Sequence, residues 1–219
     1  MSGGFFSRLL DLMFPPRCTF CRSFLKTEEK YICEDCKKTL PYSGNRKQSG
    51  DFFSVCVSPL YYRDNVRKSV LRYKFKGATN YASCYGQMLA ACINERIKEH
   101  YDYITWVPLS RERLKMRGYD QAALLAMATA LQLDDVAVEL LRKPIDVPAQ
   151  SGLGAPEKRK ANVSGVYEVL DPDIIVGKNI LIIDDVVTTG ATLSECARVL
   201  LMAGAEKVFC AALATTEGD

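Results

Sequence analysis

Two stretches of the chain combine residue types and spacings that can do chemistry. In the first, Asp184-Asp185-Val186-Val187-Thr188-Thr189-Gly190-Ala191-Thr192, paired carboxylates precede a run of small hydroxyl residues around a glycine. A turn of small residues that opens a helix presents unpaired backbone N–H groups at the positive end of the helix dipole. With Gly190 permitting close backbone approach, Thr188 to Thr192 suit a phosphate. Carboxylates cannot hold phosphate, so Asp184 and Asp185 are suited instead to vicinal sugar hydroxyls or to a Mg²⁺ carried by the ligand. A ribose 5-phosphate unit meets both demands. The competing reading is simple helix capping by Asp and Thr, but a cap needs only one such residue.

The second stretch is Cys18-x-x-Cys21 and Cys33-x-x-Cys36, with eleven residues between the pairs. Each pair makes one knuckle, and four thiolates complete a tetrahedral zinc site. Two disulfides would need an oxidising compartment, for which no export signal is read here. Residues 18–36 are too few to bury a core, so their fold is expected to come from a structural Zn²⁺. Cys56, Cys84, Cys92, Cys196 and Cys210 lie in apolar or helical surroundings and read as buried free thiols.

The positioning elements follow from periodicity. Ile180 to Ile183 reads as a strand buried on both faces of a parallel sheet, with the carboxylates at its end, where open α/β sheets bind ligands. Leu193, Cys196, Ala197, Leu200 and Leu201 then recur as one helix face, ended by Gly204, and Lys207 to Ala214 is the next strand. Earlier, Phe5 to Phe14 predicts a short amphipathic helix, Pro41 to Gly50 a linker, and Phe52 to Tyr62 a strand. From Asp64 to Gly77 a helix puts Val66, Val70 and Tyr73 on one side and Arg67, Lys68, Arg72, Lys74 and Lys76 largely on the other. Tyr81 to Ile97 is helical, Tyr103 to Leu109 a strand, Ser110 to Gly118 a short basic loop, and Gln121 to Leu131 a helix, with Asp120 either its N-cap or turned to the site. Pro144, Pro148, Gly152, Gly154 and Pro156 mark a long loop. The alternation is that of a doubly wound α/β domain.

The 219 residues, 48% hydrophobic, suffice for a full core, and the net charge of +3 hides an asymmetry. Residues 61–77 hold six Lys/Arg against one acid, whereas residues 161–219 hold three against nine. The basic segment suits a polyanion or a nucleic acid, or is a solvated helix face. Tyr61, Tyr62, Tyr73 and Phe75 could add stacking surfaces for single-stranded DNA, or serve as core. No apolar run approaches the roughly 18–20 residues of a membrane span, and no basic segment leads an apolar signal core, so the expectation is a cytoplasmic protein without membrane insertion.

Leu181 to Thr192 resembles the 5-phosphoribosyl-1-pyrophosphate (PRPP) loop of type I phosphoribosyltransferases. The resemblance extends to Cys18 to Cys36, the Tyr62 to Gly77 helix, Pro108, Arg117-Gly118-Tyr119-Asp120-Gln121, Gln150-Ser151-Gly152-Leu153, Arg159 and Asn162, and on these the chain is similar to the ComF family of competence proteins. Two departures stand out: the family usually has Phe-Asn at Tyr119-Asp120, and Phe at Tyr167. The resemblance implies an N-terminal ribbon with linker over residues 1–50 and a phosphoribosyltransferase-like domain over 51–219. It further implies that Asp184 and Asp185 bind the ribose hydroxyls and that the turn with Val187, Thr188, Thr189, Gly190, Ala191 and Thr192 holds the 5′-phosphate. Lys74, Arg111 and Arg117 are expected near a pyrophosphate carrying Mg²⁺, under a lid from Arg142 to Arg159. Single-stranded DNA and a competence helicase are the implied partners, and the oligomeric state is left open. Two readings stand: a phosphoribosyltransferase of unread acceptor, and a non-enzymatic protein that binds nucleic acid or senses PRPP.

Overall fold

The computed structural model describes residues 15–144 and 165–217. The expected Phe5–Phe14 helix, the positions 150–153, Arg159 and Asn162, and most of the 142–159 lid segment lie outside the described residues. In chain order the elements are α1 (Glu34–Thr39), β1 (Lys47–Gln48), β2 (Val55–Val57), β3 (Leu60–Tyr61), α2 (Asp64–Phe75), α3 (Tyr81–Arg96) and β4 (Tyr103–Trp106). There follow α4 (Arg111–Arg117), α5 (Gln121–Gln132), β5 (Leu141–Arg142), β6 (Glu168–Val169), β7 (Asn179–Val187), α6 (Ala191–Met202) and β8 (Lys207–Thr215).

The main sheet runs β1-β2-β8-β7-β4, with β3 also paired to β8, and every pair except β1 with β2 is parallel. β7 lies inside the sheet between β8 and β4. Its side chains alternate between two cores, as a strand's period of two requires. Leu181 and Ile183 join Phe209, Leu213, Leu89, Ile93 and Leu125 beneath α3 and α5, while Ile180 and Ile182 join Val208, Cys210, Leu193, Cys196 and Leu200 beneath α6. All four β7 residues are fully buried, each contributing about 1.5–3 kcal/mol. Close crossing of α3 and α5 depends on Gly86, where a Cβ would come within 2.6 Å of the Ala128 backbone.

Three details differ from the sequence expectation. The strand does not end at Ile183 but carries Asp184 and Asp185 within it, in register with Ala212 to Ala214 of β8. Pro41 to Gly50 is not a free linker: Tyr42 bridges Leu60, and β1 extends the sheet antiparallel to β2. An edge strand needs only one buried face, so its polar residues are tolerated. The ribbon also shares the domain's core, where Cys18, Phe20, Cys36 and Leu40 pack with Val66, Val70, Tyr73 and Tyr85. Among the described residues no helix is long and apolar enough to cross a membrane.

Candidate functional site

The carboxyl half of β7, the end of α2 and the start of α4 and α5 enclose a cavity of about 230 Å³. Its walls include Lys74, Arg113, Arg117, Lys143, Asp184, Asp185 and Thr192. Asp185 is 3% exposed and accepts from Lys74, with Nζ 2.7 Å from Oδ1. Its other oxygen, Oδ2, is buried and has no hydrogen-bond partner among the described residues. A buried unpartnered carboxylate oxygen is costly, and a ligand hydroxyl or a cation would relieve it. Burial together with the neighbouring Asp185 charge pushes the Asp184 carboxyl up to about 8, against the influence of Lys74. Burial works against the Lys74 ammonium, yet the charges of Asp185 and Asp184 outweigh it and raise its pKa. One proton and one ammonium thus settle two adjacent acids, a balance that a divalent cation would replace.

Beyond β7 the chain turns through Thr188 and Thr189 to Gly190, whose φ of +74° is in the left-handed region that favours glycine. Gly190, the N-cap of α6, offers no capping side chain, and at the head of the helix the Ala191 N–H donates to Thr189 Oγ1 at 3.4 Å. Its first turn holds no acid, so its N–H groups and dipole are suited to an anion. A further cavity of about 400 Å³ borders this turn at Thr188 to Ala191, with Phe53 and Glu195 across from it.

The segment Ser110 to Gly118, expected as a loop, is the helix α4. Ser110 caps it by accepting from the Arg113 N–H at 3.4 Å, and Gly118 ends it at φ +78°. Helicity decides which arginines face the cavity. Positions four apart share a helix face, so Arg113 and Arg117 line it, whereas Arg111 is exposed outside the lining. Arg117 Nη1 donates to Gln121 Oε1 at 2.7 Å, and the guanidinium carbon Cζ lies 4.8 Å from the Phe75 ring centre. Lys143 and Tyr167 also border the cavity, the cation 5.2 Å from the ring centre. For Lys143 the only sequence signal is proximity to the long loop, and Tyr167 stood out only as a departure from the family's usual Phe.

Asp120 serves the scaffold. Its carboxylate accepts from the N–H groups of Leu109, Ala122 and Ala123, at 3.1, 2.9 and 3.1 Å, fastening the β4–α4 connection to the start of α5. An acceptor-only side chain suits this position. Tyr119 donates its hydroxyl to the Tyr73 carbonyl. Tyr73, a stacking candidate by sequence, is fully buried and donates to the Gln121 carbonyl at 2.8 Å. Phe75 remains 60% exposed.

The four ribbon sulfurs lie within 4.8 Å of one another, with those of Cys21 and Cys33 3.5 Å apart. Thiolates about 2.3 Å from a tetrahedral zinc stand ~3.8 Å apart, so the cluster fits that ion. The Arg22 N–H donates to the Cys18 carbonyl at 3.0 Å, closing the first knuckle. The ribbon is tied to α2 by Ser69, whose hydroxyl donates to the Thr19 carbonyl at 2.5 Å, and by Arg72, which donates to the Thr19 and Phe20 carbonyls at 3.0 and 2.7 Å. Lys74 follows Arg72 by two residues on the same helix, so α2 links the ribbon to the acidic pocket.

A double zinc ribbon domain matches residues 9–47, and a phosphoribosyl transferase domain matches residues 120–218. The chain is 24% identical over 214 residues to competence protein F of Haemophilus influenzae, covering 88% of this chain and 93% of that protein. It is 26% identical over 212 residues to competence protein ComFC of Bacillus subtilis, covering 90% and 83%. Against the DNA utilization protein YhgH of Escherichia coli, identity is 28% over 203 residues, covering 87% and 86%. The chain thus matches a double zinc ribbon followed by a phosphoribosyl transferase domain, and over most of its length it is similar to these competence proteins.

Proposed function

We propose that the protein binds a phosphoribosyl ligand of the PRPP type with Mg²⁺, and that it serves the cytoplasmic handling of single-stranded DNA during natural transformation. The observation that carries the ligand reading is the orphaned Asp185 Oδ2 beside Asp184, in a cavity walled by Lys74, Arg113 and Arg117 and reaching Thr192. In this reading Asp184 and Asp185 accept the ribose hydroxyls, and the backbone N–H groups from Thr188 to Thr192 hold the 5′-phosphate. Lys74, Arg113 and Arg117 neutralise the oxygens of a departing pyrophosphate, whose bond to the anomeric carbon breaks as the acceptor's forms. Mg²⁺ supplies further charge neutralisation on that group. Arg113 replaces Arg111 in this role because it lines the cavity.

The DNA reading is supported by similarity to proteins named for competence and DNA utilization. The zinc cluster supports a reducing compartment, because it needs free thiolates. The test is thermal stability with PRPP and Mg²⁺, then pyrophosphate release with a panel of bases and ammonia. Stabilisation with release supports a transferase; stabilisation without release across the panel favours a PRPP-sensing or binding protein. No stabilisation by PRPP at concentrations saturating for type I enzymes contradicts the ligand reading.

A further inference from the structure

A separate cavity of about 390 Å³ lies where the ribbon meets α2 and α3, and Arg17, Arg22, Arg72, Lys76, Asn80 and Tyr81 border it. Four of these residues are cations, and among the described residues no carboxylate lines the cavity. Among the described residues none of the four forms an ion pair. Other exposed cations, including Lys37, Arg63, Arg142 and Lys207, do pair with carboxylates. Like charges gathered without a counter-charge repel one another, so an anion would be favoured there. α3 opens at the same place with no acid in its first turn, and its dipole adds to the positive field.

Two of the cations are tethered by hydrogen bonds, Arg17 through donation from Nη1 to the Arg22 carbonyl at 3.2 Å. Arg72 is fixed on the ribbon carbonyls and by donation from Nε to the Tyr81 hydroxyl at 3.2 Å. Lys76 lies one helical turn beyond it, on a face of α2 different from that of Lys74. Arg22 follows Cys21 in the knuckle with φ +70°, a conformation glycine would adopt without strain. The chain therefore carries an arginine at a position where its backbone favours glycine, and that arginine borders the cavity. Flat surfaces stand beside the charges: Arg17 lies 4.2 Å from the ring centre of exposed Phe24, and Arg72 lies 5.7 Å from that of Tyr81.

We propose that this junction is a second anion site, which takes the phosphodiester backbone of a single-stranded nucleic acid. Cations beside aromatic faces are the combination that binds single strands with little sequence preference, and a concave site admits a flexible strand more readily than a rigid duplex. The inference rests on the reading that the protein handles single-stranded DNA, and it adds the place where that strand is held. It is independent of the carboxylate pocket.

The experiment is fluorescence anisotropy of a labelled oligothymidylate with the full-length, zinc-loaded protein over a salt series. The variants are Arg22→Gly, Lys76→Gln and the two combined. Arg22→Gly removes a cation while placing glycine where the backbone favours it, so the ribbon keeps its fold and zinc content verifies this. At low salt each single change should weaken binding on the order of tenfold, and each should reduce the slope of log affinity against log salt by about 0.7. Asp184→Asn with Asp185→Asn should leave oligonucleotide affinity unchanged, which separates failure of this site from failure of the phosphoribosyl reading. Unchanged affinity and slope in the combined zinc-loaded variant overturn the proposal. So does binding of inorganic pyrophosphate that depends on Arg22 and Lys76 when oligonucleotide binding does not, because the site would then serve small phosphates.

Discussion

Asp184→Asn measures the cost of placing a second carboxyl beside Asp185. In the folded protein burial and the neighbouring Asp185 charge push the Asp184 carboxyl up to about 8, from an ordinary value of 3.8. Between those limits the folded state holds a proton that the unfolded chain releases. Stability attributable to this group is therefore highest below pH 4, falls as pH rises, and is fully lost above about 8. Within the window the slope is about 1.4 kcal/mol per pH unit for one proton. Asparagine keeps the shape and has no proton to lose, so the variant lacks this slope while the other groups' titrations cancel in the comparison. For a chain of this size 1 kcal/mol moves Tm by about 2–4 °C. The Tm of Asp184→Asn minus that of the parent should then widen by about 3–6 °C per unit between pH 5 and 7. Thermal unfolding followed by circular dichroism, in magnesium-free buffer with zinc retained, gives this difference. Parallel Tm curves across that range would refute the argument that the two acids share a desolvated site.

Lys74→Met removes the partner 2.7 Å from buried Asp185 and should cost about 3–5 kcal/mol in urea unfolding, most of it recovered when Asp185→Asn is added. No recovery would mean that Lys74 acts through packing. Cys36→Ser should release zinc and also loosen α2, because the ribbon's Cys18, Phe20 and Leu40 share a core with Val66, Val70 and Tyr73. Metal analysis with amide hydrogen exchange of α2 checks this, and full retention of α2 protection after zinc loss would contradict a shared core.

The parts legible in the sequence are those set by strong local rules. Ile180 to Ile183 had to be buried on both faces, and β7 carries them between two cores. Paired Cys-x-x-Cys spacing brought four sulfurs together. What escaped depends on weaker or distant signals. Ser110 and Gly118 were available as the caps of α4, but the charged residues between them show no apolar period, so the helix and its choice of Arg113 over Arg111 were missed. The 2.7 Å contact of Lys74 with Asp185 joins residues far apart in sequence, and no periodicity encodes it. Pro41 to Gly50 reads as linker because an edge strand can be polar, yet β1 pairs with β2 there. Asp120 admitted two readings, and its three backbone donors settle it as a cap.

The central claim is that β7 supplies a ribose site and the following turn a phosphate site, and calorimetry with two ligands tests it most directly. Asp184→Asn with Asp185→Asn should weaken PRPP binding by roughly tenfold or more for each lost contact, while inorganic phosphate binds as well as before or better. Gly190→Val should weaken both ligands, since a β-branched residue opposes the φ of +74° at the head of α6. Unchanged PRPP affinity in the folded double asparagine variant would contradict a ribose site at the acidic pair.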